Sequence, residues 1–124
     1  MKFLVISDIH GNIENIEKLE NEFKNADAVL FAGDFAEFGK EETGLPALKA
    51  LCKKHETIFS VIGNCDKPEF LEELEKADIS VQKQLVMHEG LAFAGAGGGT
   101  IFTKTTANER TEEDILSDFK AKAL

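Results

Sequence analysis

The sequence has no apolar run long enough to span a bilayer, and its opening residues lack the layout of a signal peptide. Its only cysteines, Cys52 and Cys65, are too few to form a disulfide framework. Internal repeats and low-complexity linkers are also missing. These absences lead us to expect a protein of the reducing cytoplasm that does not bind membranes.

Basic residues are scarce. The chain has 14 Lys and Arg against 23 Asp and Glu, which gives a formal net charge of −9. This balance argues against a general nucleic-acid surface, because binding to phosphate backbones requires Lys and Arg. A phosphate-containing substrate would therefore need cations at its binding site, and bound metal ions would supply them.

With 124 residues, of which 43% are hydrophobic, the chain can build the core of one domain at most. Three short apolar runs, at residues 2–6, 28–32 and 57–62, predict buried strands, and apolar residues at helical spacing predict helices between them, the first from Asn12 to about Lys24. This alternation predicts an α/β fold with a parallel βαβαβ core, with the 28–32 strand in the middle. Residues 84–95 predict a following β-hairpin that turns at Glu89-Gly90.

Each predicted strand ends in a glycine-containing turn that carries potential metal ligands. In parallel sheets, functional groups collect at the carboxyl ends of the strands, so the three turns should meet at one edge. Asp8 and His10 are two residues apart, and in an extended backbone their side chains would point the same way. Taken alone, this pair could equally be a helix-capping Asp8 and a surface His10. The convergence of three turns favours a metal site.

The residues that carry these turns resemble, in order and spacing, the first three motif blocks of the calcineurin-like metallophosphoesterases. The blocks are Asp8-Ile9-His10-Gly11-Asn12, the Gly33-Asp34 block up to Gly39, and Gly63-Asn64-Cys65-Asp66. Residues 95–100 and 112–115 further resemble a bacterial and archaeal branch of predicted phosphoesterases. The resemblance implies the amino-terminal half of that family's αββα sandwich.

The same resemblance implies a dinuclear site of two divalent metal ions, of which Mn, Fe, Zn, Ni and Mg are candidates. Asp34 would bridge them, Asp8 and His10 would bind one ion, and the Asn64 amide oxygen would bind the other. The ions would activate a water that hydrolyses a phosphomonoester or phosphodiester of a small molecule. Asp34, Asn64, Cys65 and Asp66 form the implied catalytic set, in which Asp66 orients its neighbours.

Two departures from the family pattern stand out. Cys65 replaces a histidine that helps to protonate the leaving group in many members, and a thiol with a pKa of ~8.5 is a poor substitute. The family's later blocks supply three histidines in Gly-His and Gly-His-x-His settings, whereas only His88 follows Asn64 here. We therefore expect residues 1–124 to be a single phosphoesterase domain that is truncated at its carboxyl end and binds metals weakly.

A non-catalytic scaffold or protein-interaction domain that keeps the fold is the alternative function. The joint presence of Asp8, His10, Asp34 and Asn64 favours the enzyme, because a scaffold has no chemical need for all four. A truncated sheet would expose apolar surface and a strand edge, both of which favour association. We therefore expect a homodimer, formed through the hairpin, through residues 95–103 or through the last helix.

Overall fold

The computed structural model describes residues 1–120. Its central element is a parallel sheet of β1 (Phe3–Ile6), β2 (Ala28–Phe31) and β3 (Ile58–Ser60), in the order β1-β2-β3. The predicted parallel core and its middle strand are therefore confirmed. The sheet continues past β3, because Ser60 exchanges backbone hydrogen bonds with Ile79 and Val81. This irregular extension was not predicted, since residues 79–82 form no distinct apolar run.

The helices lie between and after these strands: α1 (Ile13–Glu17), α2 (Glu20–Asn25), α3 (Gly44–Cys52), α4 (Leu71–Lys76) and α5 (Glu112–Lys120), with short 3-10 turns at Glu41–Thr43 and Pro68–Phe70. The prediction of one continuous first helix was wrong. At Leu19 the backbone leaves the helical ψ range, and its amide bonds to Ile16, three residues back, instead of four. Apolar spacing identifies the face that α1 and α2 share, but it does not detect this change in hydrogen bonding.

The sheet buries its two faces unequally. Successive strand residues point to opposite faces of the sheet, and those on one face, such as Val29 and Phe31, pack against the helices in the main core. Residues on the other face, such as Leu30 and Phe59, pack against the hairpin in a smaller core. The hairpin does not extend over the whole second face, and Val5 of β1 remains 64% exposed there.

The hairpin consists of β4 (Leu85–His88) and β5 (Leu91–Ala94), which pair antiparallel. Glu89 and Gly90 connect them, both with positive φ as a two-residue type I′ turn requires, so the predicted hairpin is confirmed. Its inner face packs on the sheet through Phe93, which stacks on Phe59 with ring centroids 4.1 Å apart. Its outer face is also apolar, and Met87 there is 65% exposed.

The last part of the described chain forms a third small unit. Two short strands, β6 (Gly99–Thr100) and β7 (Glu109–Arg110), pair in parallel and lead into α5. Arg110 holds this helix in place, because its guanidinium donates to both oxygens of buried Asp118, at 2.7 and 2.9 Å. Thr111 caps the helix, because its hydroxyl oxygen accepts a bond from the Asp114 amide at 3.1 Å.

Within residues 1–120, no helix combines the length and the apolar character needed to cross a membrane.

The homodimer remains a prediction, and the outer face of the hairpin is the surface that we expect to mediate it. Met87→Lys should convert the dimer to a monomer, because it places a charge in an apolar contact. Leu116→Lys, on an α5 residue that is 56% exposed, should leave the dimer intact. Light scattering at micromolar concentration measures both. A monomeric wild-type chain would contradict the prediction, and dissociation of the Leu116 variant alone would move the interface to α5.

Candidate metal centre

Backbone hydrogen bonds join the turn after β1 to the turn after β2. The amides of Asp8, His10 and Gly11 donate to the carbonyls of Gly33, Asp34 and Phe35, at 2.9, 3.0 and 2.7 Å respectively. The two turns therefore continue side by side beyond the ends of their strands. This pairing places Asp8 and His10 against Asp34.

The backbone at these residues is left-handed. Asp8, His10 and Asp34 have φ values of 59°, 48° and 65°, a region that residues other than glycine rarely adopt. The expectation that Asp8 and His10 project from an extended strand was therefore wrong. Their side chains meet because two left-handed residues flank Ile9, which is itself buried in the core. Such conformations cluster at functional sites, where the surrounding structure maintains them.

Hydrogen bonding orients the His10 imidazole. Its Nδ1 lies 2.9 Å from the Ala36 carbonyl oxygen, which can only accept, so Nδ1 carries the proton. The other nitrogen, Nε2, lies 3.1 Å from Asp8 Oδ1 and 3.8 Å from Asp34 Oδ2. In a neutral imidazole, Nε2 has only a lone pair to present to these carboxylates. In that protonation state, three electron-rich atoms lie close together without a positive charge between them.

The ionisation of these groups reflects that crowding. Burial raises the pKa of Asp34 above its ordinary value, and the nearby charges of Asp66 and Asp8 act in the same direction. Burial opposes protonation of His10, but the Ala36 carbonyl and the carboxylates of Asp8 and Asp34 together raise its pKa. A cation bound among these groups would relieve the same repulsion.

The turn after β3 completes the cluster. The Cys65 amide donates to Asp34 Oδ1 at 2.9 Å, so Asp34 contacts both of the other turns. Ligand atoms of His10, Asp34 and Cys65 all lie within 4.8 Å of one another. Burial raises the pKa of the Cys65 thiol, with further contributions from the charges of Asp34, Asp66 and Asp8. Cys65 is therefore a protonated thiol at neutral pH in the absence of a cation.

The approach of the second and third turns depends on two glycines. A Cβ on Gly33 would overlap the Gly63 backbone, and a Cβ on Gly63 would overlap Asp34 Oδ1. Gly33 also has a φ of 100°. Side chains at these positions would separate the turns and move Asp34 away from His10.

Asp66 holds the backbone of the site together. This side chain is only 1% exposed, and it accepts four backbone N–H bonds. Oδ2 accepts from Asp34 and Gly63 at 2.9 Å each and from Phe35 at 3.2 Å, while Oδ1 accepts from Ala36 at 2.9 Å. Both oxygens are occupied, so Asp66 acts through the residues that it positions.

Asn64 lies at the same edge, between Gly63 and Cys65, and its side chain is half-buried. Asn108, a residue that the sequence analysis did not single out, contacts this turn twice. Its amide donates to the Asn64 carbonyl at 2.9 Å, and its side-chain Nδ2 donates to the Gly63 carbonyl at 3.3 Å. Asn108 lies outside the resembling motif blocks and 44 residues after Asn64, so no local pattern could have identified it.

The other two histidines are engaged elsewhere. His55 Nε2 lies 2.8 Å from the Ala26 carbonyl, and its Nδ1 accepts from the Thr57 amide at 2.9 Å. His55 is half-buried, and its two bonds hold the start of β3 against the segment before β2. His88 packs edge-on against Phe59, with ring centroids 5.5 Å apart.

The family model of the calcineurin-like phosphoesterases matches residues 1–122. The uncharacterized protein MJ1162 from Methanocaldococcus jannaschii is 32% identical to this chain over 120 residues. That alignment covers 94% of this chain but only 52% of the relative, so the chain spans about half the length of the curated relative that it matches. No solved structure shows a significant match.

The chain belongs to the calcineurin-like phosphoesterase family. The parallel sheet and its helices agree with the amino-terminal part of that family's fold, as the resemblance of the motif blocks implied. The family normally binds divalent metals, and the cluster of His10, Asp34 and Cys65 could hold one. Family membership suggests a hydrolase, although the family also includes inactive members.

Asp66→Asn tests whether one carboxylate holds the second and third turns together. The substitution removes the charge and directs an NH₂ group at backbone donors, so we expect the free energy of unfolding to fall by about 2–4 kcal/mol. Urea unfolding followed by circular dichroism measures this, since the chain has no Trp or Tyr.

Asp27→Asn is the matched control. Asp27 is an exposed carboxylate that accepts one backbone bond, from Lys2 N at 2.6 Å, and its loss should cost less than about 1 kcal/mol. Equal losses of unfolding free energy in the two variants would show that the Asp66 contacts do not hold the second and third turns together.

Proposed function

We propose that this chain carries metal-binding residues of a metal-dependent phosphoesterase that hydrolyses phosphate esters of small molecules. The observation that carries the proposal is that His10 Nε2 lies 3.1 Å from Asp8 Oδ1 and 3.8 Å from Asp34 Oδ2. While His10 is neutral, no positively charged side chain of the cluster balances the Asp8 and Asp34 carboxylates. A divalent cation satisfies all three atoms at once.

The donor set fits such a cation. Imidazole nitrogen and carboxylate oxygen are ligands that Zn²⁺ and other first-row divalent metals accept. The Ala36 carbonyl holds the His10 ring with Nε2 turned towards the carboxylates, an orienting bond that metal-binding histidines usually have. Asp34 is the best candidate for a shared ligand, since its Oδ2 faces His10 while its Oδ1 faces the Cys65 amide.

A second cation would lie on the Asn64 side of Asp34. There the Asn64 amide oxygen and Asp34 are the proposed ligands, with the Cys65 sulfur within reach of Asp34. Fewer donors come from this side, so we expect the second ion to bind more weakly than the first. When bound, divalent cations activate water, orient the phosphate and stabilise the attacking and leaving oxygens.

The chain's own residues then have distinct roles. Asp8, His10, Asp34 and Asn64 hold the cations, and Asp66 fixes the backbone that presents Asp34. Burial raises the pKa of the Cys65 thiol, so Cys65 keeps its proton and is a poor acid for protonating a leaving group. The best substrates should therefore have good leaving groups that depart without protonation, such as aryl or other acidic alcohols.

Hydrolysis of bis(p-nitrophenyl) phosphate in the presence of Mn²⁺ tests the activity. Asp34→Asn should lower kcat/KM by about a hundredfold or more, because it weakens the ligand shared between two cations. Cys65→Ser should change it by less than about tenfold, because nitrophenolate leaves without a proton donor.

Asp27→Asn serves again as the exposed control and should keep the wild-type rate. An Asp34 variant as active as the wild type would exclude the proposed centre as the source of hydrolysis. A wild-type chain that binds Mn²⁺, as shown by a raised urea midpoint, but hydrolyses nothing at that concentration would favour the scaffold alternative.

Metal binding can be measured separately from catalysis. A ligand at ten times its Kd stabilises the native state by about 1.4 kcal/mol, so Mn²⁺ should raise the urea midpoint of the wild-type chain. His10→Ala should abolish this rise, and His55→Ala, which removes a histidine outside the cluster, should preserve it. A rise that survives in the His10 variant would place the metal elsewhere.

A further inference from the structure

One loop beside the candidate centre contributes no proposed metal ligand. Residues 101–107 connect β6 to β7, and we refer to them as the 101–107 loop. No sequence motif marks this loop, which follows the glycines at positions 95 and 97–99. Its side chains include Ile101 and Phe102, which are 49% and 63% exposed.

Both ends of the loop lie against the turn that carries Asn64. On the entering side, a Cβ at Gly99 would lie 3.1 Å from the Cβ of Asn64, so only glycine allows this approach without displacement. On the leaving side, the Asn108 amide donates to the Asn64 carbonyl at 2.9 Å. The loop therefore begins and ends next to Asn64, a proposed metal ligand.

A single carboxylate fixes the shape of the loop. Glu109 Oε1 accepts from the amides of Phe102 and Lys104, at 3.1 and 2.7 Å. Glu109 Oε2 accepts from the Thr106 amide and hydroxyl, at 3.1 and 2.6 Å, and from the Thr103 hydroxyl at 2.9 Å. These bonds, the Thr106 hydroxyl foremost, hold the pKa of Glu109 far below its usual range.

This ordering does not serve the hydrophobic core. The five bonds to Glu109 hold a loop whose largest apolar side chain, Phe102, lies mostly in solvent. An ordered loop loses conformational entropy, and burial of its side chains does not compensate here. A rigid apolar surface next to a catalytic centre gains affinity for ligands, because the binding partner need not order it.

We propose that the 101–107 loop forms the leaving-group subsite of this phosphoesterase, where Phe102 and Ile101 contact a flat, apolar leaving group. Glu109 is a positioning residue that keeps the loop in its binding shape. The inference rests on the proposed phosphoesterase function and narrows its substrate class to aryl phosphate esters. Such alcohols have the π-face that an exposed phenyl ring can stack on.

Kinetics with two substrates provide the first test. Phe102→Ala should lower kcat/KM for p-nitrophenyl phenylphosphonate by about tenfold, the loss expected for one stacking contact. It should lower kcat/KM for methyl p-nitrophenyl phosphate by a similar factor, because both substrates release the same nitrophenyl group. Loss on the first substrate alone would assign the contact to the non-leaving phenyl group and overturn the leaving-group assignment, and unchanged kinetics on both substrates would overturn any contact with Phe102.

Phe119→Ala is the matched control, because Phe119 on α5 is a phenylalanine of similar exposure, at 48%, outside the loop. It should keep wild-type kinetics on both substrates. Glu109→Gln should raise KM for both nitrophenyl substrates with little change in kcat, because a less ordered loop weakens substrate binding without affecting the cations. Equal kcat losses for both substrates in the Glu109 variant would instead mean that the loop only supports Asn64.

Binding of phenylphosphonate provides a readout that does not need hydrolysis. With Zn²⁺ present, phenylphosphonate should shift the amide NMR signals of residues 101–104 in the wild-type chain, and methylphosphonate should not. Phe102→Ala should weaken phenylphosphonate binding by about tenfold.

These outcomes separate the two proposals. Binding at the loop without hydrolysis would reject the enzyme activity and keep the subsite. Hydrolysis with no effect of Phe102→Ala on kinetics or on phenylphosphonate binding would keep the enzyme and reject the subsite.

Discussion

The carboxylate of Asp66 is the contact on which the candidate centre depends. It accepts backbone N–H bonds from both the turn after β2 and the turn after β3. Hydrogen bonds to a charged group contribute about 1.5–3 kcal/mol each, whereas a left-handed residue such as Asp34 costs about 1–3 kcal/mol. The three bonds to residues 34–36 therefore outweigh the strain at Asp34. Without them, the turn would relax and Asp34 would lose its place beside His10.

The same turns bring negative charge together more closely than free side chains would tolerate. Asp34 is buried between Asp8 and Asp66, and its raised pKa reflects both burial and repulsion. The fold maintains this arrangement through backbone hydrogen bonds, which a side-chain rotation cannot release. A site with this construction is organised for a cation before the cation arrives, which reduces the reorganisation needed on binding.

Much of this structure could be predicted from the sequence, because its determinants are local. The β1, β2 and β3 strands are short apolar runs, and Gly90 favours the positive φ that the hairpin turn requires. The left-handed φ of His10 could not be predicted, since its cause is the pairing of its amide with the Asp34 carbonyl. Asn108 was missed for a similar reason, because its partners at Gly63 and Asn64 are distant in sequence.

Asn64 differs from the other proposed ligands in how it is supported. Asp8, His10 and Asp34 lie in turns that bond to one another, so the ligands of the proposed first cation site all come from residues 1–66. The turn of Asn64 is instead braced by Gly99 and Asn108, which belong to the β6–β7 unit that Arg110 and Asp118 fasten to α5. The two halves of a dinuclear centre would thus rest on different parts of the fold. Loosening the β6–β7 unit should affect the second cation and the 101–107 loop together, because both depend on the same turn.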